Sequence, residues 1–136
     1  MYIVSKANPY EYREIELFYN TVGEDDVVDS SEIVFVAKEE NRIIGAVRLV
    51  FEHGVLVMRT LNVAEENQQK GVGIYLVRTL ISEVAGRRCY CLAYPHLKGF
   101  YEQFGFKQVE PETLPTFLFD RFSEYNRSFA VIAMTI

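Results

Sequence analysis

The chain is expected to adopt an α/β fold of the α+β kind, a single domain over residues 1–136 with a central mixed, mostly antiparallel sheet and helices on both faces. Three observations lead there. Residues 32–63 contain three β-favouring runs separated by turns of a few residues, the pattern of an antiparallel meander. At Gly71 the apolar period lengthens from two to a helical one, and a further apolar run at 87–93 completes a strand–helix–strand unit. The length, 136 residues, and a balance of 49% hydrophobic to 24% charged residues suit one ordinary globular core.

Taken in order, residues 2–4 are short and β-favouring, and after Asn8-Pro9 the segment 10–20 sets Ile15, Phe18 and Tyr19 at helical spacing. Residues 21–31 (TVGEDDVVDSS) are acidic and turn-rich and read as a loop or one short helical turn. Strands follow at 32–37, at 43–51 with Gly45 inside, and at 55–63, with turns at 39–42 and 52–54. From Gly71, the residues Val72, Leu76, Val77, Leu80, Ile81 and Val84 form one broad apolar face of a helix that stops at Gly86. A strand at 87–93, a short helix at 97–104 closed by Gly105, and a strand at 106–109 come next. Residues 111–125, with Pro111 and Pro115, carry mixed helix signals and are expected to wall an acceptor pocket. Residues 128–136 form a last buried strand.

Charge and cysteine usage exclude several classes. Nineteen acidic against 14 basic residues give a net charge of −5, so neither a basic patch nor the whole-protein field favours nucleic acid. Cys89 and Cys91, two apart in a strand, point to one face and read as reduced core residues. With histidines only at 53 and 96, no metal-ligand spacing arises. No apolar run approaches the roughly 18 residues of a membrane span, and the N-terminus lacks a basic segment followed by an apolar one. The expected setting is the cytoplasm, with no membrane partner; a homodimer stays open.

The chemistry starts at Gln68–Gly73, QQKGVG, where a polar loop enters the amphipathic helix. The first amides of a helix lack internal partners and the macrodipole is positive there, so a phosphate meets both needs. Gly71 and Gly73 let an anion approach the backbone, and Lys70 adds charge at the rim. A Walker loop and a Rossmann fingerprint both fail, the latter because Leu76 stands where a third glycine is needed. The plain alternative is that two glycines only shape a turn.

Residues 61–80, LNVAEENQQKGVGIYLVRTL, resemble motif A of the Gcn5-related N-acetyltransferase (GNAT) superfamily, in which an apolar-x-Val strand end precedes Arg/Gln-x-x-Gly-x-Gly/Ala. Residues 99–106, GFYEQFGF, are similar to that superfamily's FYxxxGF segment at the expected distance downstream. The resemblance covers about residues 33–109. It implies acetyl-CoA as co-substrate, with the backbone of Leu61 and Val63 on the pantetheine arm. The amides of Gln68, Gln69, Lys70, Gly71, Val72 and Gly73 would hold the pyrophosphate, and Tyr101 would be the general acid. Two positions depart from the pattern: Gln69 replaces the loop's usual first glycine, and Tyr94 stands where an asparagine is frequent.

Acetyl transfer from a thioester to an amine needs a neutral amine and a proton for the leaving thiolate. A tyrosine with an ordinary pKa of about 10 suits the second need. For the first, imidazole is a side chain suited to accept a proton at neutral pH, directly or through water, which makes His96 a candidate and Glu52 the alternative; both are also readable as surface residues. An approximate pairing around His53-Gly54 sets Arg48 opposite Arg59 on one face. Like charges so placed want an anion between them, either a substrate carboxylate gripped in a bidentate fork or a neutralising acid such as Glu32. The expected acceptor is thus a small primary amine, with amino acids among the candidates. A protein amine or polyamine recognised through Glu24, Asp25, Asp26 and Asp29, and a non-catalytic acyl-CoA-binding module, are the alternatives.

Overall fold

The computed structural model describes all 136 residues, Met1–Ile136. Two tight turns fix its meander. Glu40 (φ 51°) and Asn41 (φ 64°), then His53 (φ 46°) and Gly54 (φ 83°), are left-handed pairs, as two-residue hairpins matching the strand twist require. The elements are β1 (Ile3–Lys6), α1 (Tyr12–Thr21), β2 (Ile33–Glu39), β3 (Arg42–Glu52), β4 (Val55–Val63) and α2 (Val72–Val84). They continue as β5 (Cys89–Ala93), α3 (Lys98–Glu102), β6 (Lys107–Val109), α4 (Thr116–Asn126) and β7 (Ile132–Thr135). Single 3-10 turns lie at Pro9–Glu11, Glu65–Asn67, Pro95–Leu97 and Pro111–Thr113.

Seven strands form one sheet in the order β1-β2-β3-β4-β5-β7-β6. Pairs β1–β2, β2–β3, β5–β7 and β6–β7 are antiparallel, while β4 and β5 run parallel through Leu56 opposite Cys89 and Val57 opposite Tyr90. The expected mixed, mostly antiparallel sheet is therefore present.

The backbone divides into two compact units, Met1–Val50 with Met58–Gly86, and Phe51–Val57 with Arg87–Ile136. In the first, Ile15, Phe18 and Tyr19 of α1 bury against Val34, Val36 and Ala46. Gly45, next to Ala46, instead meets Val72 and Leu76 of α2. Neighbouring strand residues point to opposite faces, so α1 and α2 cover the two faces of β2–β3. The buried positions of α2 are Val72, Leu76, Val77, Leu80 and Val84, the face its periodicity indicates. In the second unit, Tyr90 and Ala133 pack with Leu114 and with Leu118 of α4, while Cys91 lies beside Tyr101 of α3. Alternation along β5 thus separates α4 from α3. Residues 111–125, ambiguous in sequence, form a 3-10 turn and then α4, whose Leu118 is fully buried. Cys89 and Cys91 are both free and buried. No helix is long and apolar enough to cross a membrane.

Candidate active site

The glycine loop forms at the end of β4. After the Glu65–Asn67 turn, Gln69 (φ 65°) and Gly71 (φ 80°) are left-handed, and Gly71 caps α2. The first bond inside the helix runs from the Tyr75 amide to the Gly71 carbonyl (3.2 Å), so earlier amides have no partner within it. No acidic residue occupies the first turn, which leaves the positive end of the dipole unopposed. Gln69 holds a conformation costing a side-chain-bearing residue roughly 1–2 kcal/mol, which explains why glycine is usual there in the resembled motif. From β1, the Tyr2 hydroxyl donates to the Lys70 carbonyl at 3.1 Å and braces the crest of the loop. The Gln68 side chain donates to the Val63 carbonyl at 3.1 Å, leaving that oxygen one lone pair for another donor. Thr21, Val22, Asn62, Val63, Ala64, Glu65, Glu66 and Gln68 line an open cleft of about 600 Å³.

Upstream within β4, Thr60 has φ 54°, and its carbonyl accepts a 2.8 Å bond from Tyr19, which is fully buried. Burial pushes the Tyr19 phenol far above its ordinary range, so it stays a neutral donor. Arg48, only 3% exposed, does not wait there for a substrate. Its Nε and Nη2 donate to the two oxygens of Glu32 at 2.7 and 3.0 Å, and Nη1 contacts Asp26 and Thr60 Oγ1. Thr60 Oγ1 in turn donates to Asp26 at 2.7 Å. The expectation that Arg48 grips a substrate carboxylate is thereby corrected: a buried guanidinium sheds its desolvation cost only by finding acids, and the protein supplies them. Arg59 is half-buried. Along the same stretch Glu24 is half-buried. Burial, with Asp26 and Asp25 nearby, raises its carboxyl above the usual carboxylate range.

In the second unit Tyr101 is buried. Its ring packs edge-on against Phe100 (5.1 Å between centroids) and Phe106 (5.9 Å). Burial, with Cys91 alongside, pushes its phenol well above 10, which keeps it protonated at neutral pH. His96 lies in the exposed turn before α3, its ring stacked with that of Tyr94 at 5.8 Å. Glu52 is held by both terminal nitrogens of Arg121 at 2.8 and 2.9 Å, and a carboxylate so paired is a poor base.

Two hydrogen bonds escaped the sequence reading. Tyr2 and Tyr19 contact partners 68 and 41 residues away, with no local pattern to mark them, while Asp26, read as a candidate for acceptor recognition, contacts Thr60 34 residues away. The Asn8–Glu11 cap is a different case, since its Asn-x-x-Glu spacing is itself a signal.

Residues 30–108 match the sequence model of the acetyltransferase (GNAT) domain, more than half of the chain. Among curated proteins no sequence matches. Many solved structures share the fold. N-acetylglutamate synthase from Neisseria gonorrhoeae, complexed with coenzyme A and N-acetyl-glutamate, superposes with a TM-score of 0.72 at 14% identity over 98% of this chain. The chain spans about a third (34%) of that protein. Rv2747 from Mycobacterium tuberculosis, in complex with CoA, gives 0.71 at 18% identity over 98% of both chains. Escherichia coli ElaA gives 0.70 at 16% identity over 99% of both. At such identities these likenesses establish the fold alone.

Proposed function

The chain belongs to the GNAT acetyltransferase domain family, and from that premise we propose that it transfers the acetyl group of acetyl-CoA directly to the primary amine of a small molecule. One observation carries the reading: the left-handed loop at Gln69 and Gly71 opens α2 with unpartnered amides and no first-turn acid, as a pyrophosphate site needs. In this reading the amides of residues 69–73 hold the pyrophosphate, that of Gln68 being engaged by the Glu65 carbonyl at 3.2 Å, and the backbone of Leu61 and Val63 holds the arm. Coenzyme A in the neighbouring complexes of N-acetylglutamate synthase and an aminoglycoside 6′-N-acetyltransferase supports the choice of co-substrate. Tyr101 serves as general acid to the leaving thiolate, for which its protonated state suits it. With Arg48 engaged by Glu32 and Asp26, the expected arginine pair does not stand ready for an acceptor carboxylate. Reduced, buried thiols agree with a cytoplasmic setting.

The test is release of free thiol from acetyl-CoA over a panel of amines, with Tyr101→Phe beside the parent. Phenylalanine keeps the ring contacts and removes only the hydroxyl. Turnover is expected to fall by about 100-fold with coenzyme affinity nearly intact, within the typical span of general-acid assistance. Acceptor must be saturating and chemistry rate-limiting, because slow product release hides such a defect. Parental turnover in a folded, coenzyme-binding Tyr101→Phe protein rules Tyr101 out as the acid. Coenzyme binding by the parent without turnover on any amine favours the non-catalytic module.

A further inference from the structure

We propose that Arg78 binds the 3′-phosphate of the coenzyme and that the ring of Tyr75 holds it in place for this. The inference rests on the acetyl-CoA reading above and names residues for the nucleotide end, which that reading leaves unassigned. Gly71, Tyr75 and Arg78 follow one another at helical spacing, so they share one stripe of α2. Tyr75 and Arg78 are exposed, the tyrosine at 51%. The stripe begins at the loop itself, since a Cβ on Gly71 would meet the Tyr2 hydroxyl at 3.6 Å and Tyr75 Cε2 at 3.7 Å. The Arg78 guanidinium lies over the Tyr75 ring, 5.8 Å from Cζ to the centroid, and the Tyr2 ring is tilted against Tyr75 at 6.3 Å. Helical side chains lean toward the N-terminus, so the guanidinium is carried back over Tyr75 in the direction of the loop.

Coenzyme A carries two separate anionic groups, the pyrophosphate and a phosphate on the 3′-hydroxyl of its ribose. Only the ribose stands between them, so with the pyrophosphate on the loop amides the 3′-phosphate stays within about two turns of helix from Gly71. Such a phosphate has a charge of about −1.5 to −2 at neutral pH, and a guanidinium meets its oxygens in a fork. The surrounding charge fits. In a chain with 19 acids and 14 bases, residues 67–82 contain Lys70 and Arg78 and no acid. The flanking acids Glu66 and Glu83 are paired with Arg42 at 4.0 Å and Lys6 at 3.5 Å. Lys70 belongs to the loop, beside the pyrophosphate, whereas Arg78 stands off from it, where a second phosphate has to be met.

Tyr75 is a positioning residue in this account. An arginine loose in solvent loses rotamer freedom when it takes up a phosphate, and one already laid on a ring loses less. The ring engages the face of the guanidinium and leaves its N–H edge free for the phosphate oxygens.

The experiment is calorimetric titration of the full chain with CoA and with dephospho-CoA, which differ only in the 3′-phosphate. The readout is the ratio of the dephospho-CoA Kd to the CoA Kd, because damage to the loop weakens both ligands and cancels. The parent is expected to favour CoA about fivefold at low salt, the worth of one well-formed exposed ion pair, and by less as salt rises. In Arg78→Gln the ratio should fall to about one, with the dephospho-CoA Kd within about twofold of the parent. Arg78→Lys should keep part of the ratio, as a point charge without the fork. Tyr75→Phe retains the ring and should retain the ratio, whereas Tyr75→Leu should lower it about twofold. A parent that binds CoA and dephospho-CoA alike overturns the proposal and leaves the coenzyme reading standing. So does an Arg78→Gln protein with the parental ratio, whether both affinities are kept or both fall together. A parental ratio in Tyr75→Leu overturns the part given to Tyr75. A parent that binds neither ligand overturns the proposal and the coenzyme reading together.

Discussion

Arg48 and Glu24 occupy the same neighbourhood and respond to burial in opposite ways. Arg48 is matched by Glu32, itself 9% exposed, through two parallel bonds, so the pair leaves water together. Truncation to alanine strands Glu32 without its counter-charge, and breaking a buried pair from one side costs about 3–5 kcal/mol. Arg48→Ala is therefore expected to lower the denaturant midpoint by that equivalent, with coenzyme affinity of the folded fraction unchanged. A loss below about 1 kcal/mol means the cluster is solvated. Glu24 has no such partner, and its carboxyl is raised on folding. A raised carboxyl favours the fold while protonated, below the unfolded pKa of about 4.3, and that contribution is lost as pH rises through the folded value. At neutral pH the ionised group opposes folding, so the Glu24→Gln variant should melt no lower than the parent. Glu11 has the opposite sign. Lys38 and the Asn8 amide hold its carboxyl below the usual range, so its contribution is present at neutral pH and lost on acidification through the folded value.

At the scale of elements, the seat of α2 on β3 decides where the loop amides point. A Cβ on Gly45 would lie 3.1 Å from both Val72 Cγ1 and Leu76 Cδ1 and 3.3 Å from the Asn62 carbonyl, so only glycine lets the first turn of α2 come down to this height. Gly45→Val is expected to cost roughly 1–3 kcal/mol by overpacking and to weaken coenzyme binding disproportionately, since it lifts the helix end that carries the loop. Equal affinity for acetyl-CoA in parent and variant, measured by calorimetry, means the loop is insensitive to that seat. Gly45 was visible in the sequence as a glycine within a strand, but its reason was not, because Val72 and Leu76 lie 27 and 31 residues further along the chain. The same limit runs through the rest of the reading. Helix α2 and the meander announce themselves by periodicity and left-handed turn residues. Helix α4 does not, because Pro111 and Pro115 interrupt its approach and only Leu118 of its own residues is buried. The loop was legible because its chemistry is local, whereas the fate of Arg48 depended on Asp26 and Glu32, 22 and 16 residues away.

At the scale of the molecule, an acidic protein binding a polyanionic coenzyme has to rely on local dipoles rather than on its overall field. The chain carries −5, and the charge of its anion loop amounts to Lys70 and the positive end of α2. Binding energy concentrated there is spent on the native state only, because the unfolded chain has no helix end to offer. A ligand at about 100 times its dissociation constant then adds roughly 2.7 kcal/mol to stability. For a chain between the 100- and 150-residue ranges this is on the order of 10 °C in Tm. Acetyl-CoA and CoA should both produce such a shift at saturation, since they share the pyrophosphate and the arm. Adenosine, which lacks both, should produce little. A melting temperature unmoved by saturating acetyl-CoA removes the coenzyme from the assignment, and an equal shift with adenosine moves recognition from the loop amides to the base. A shift that grows with the logarithm of ligand concentration, at the slope RT requires for one site, marks a single coenzyme bound per chain.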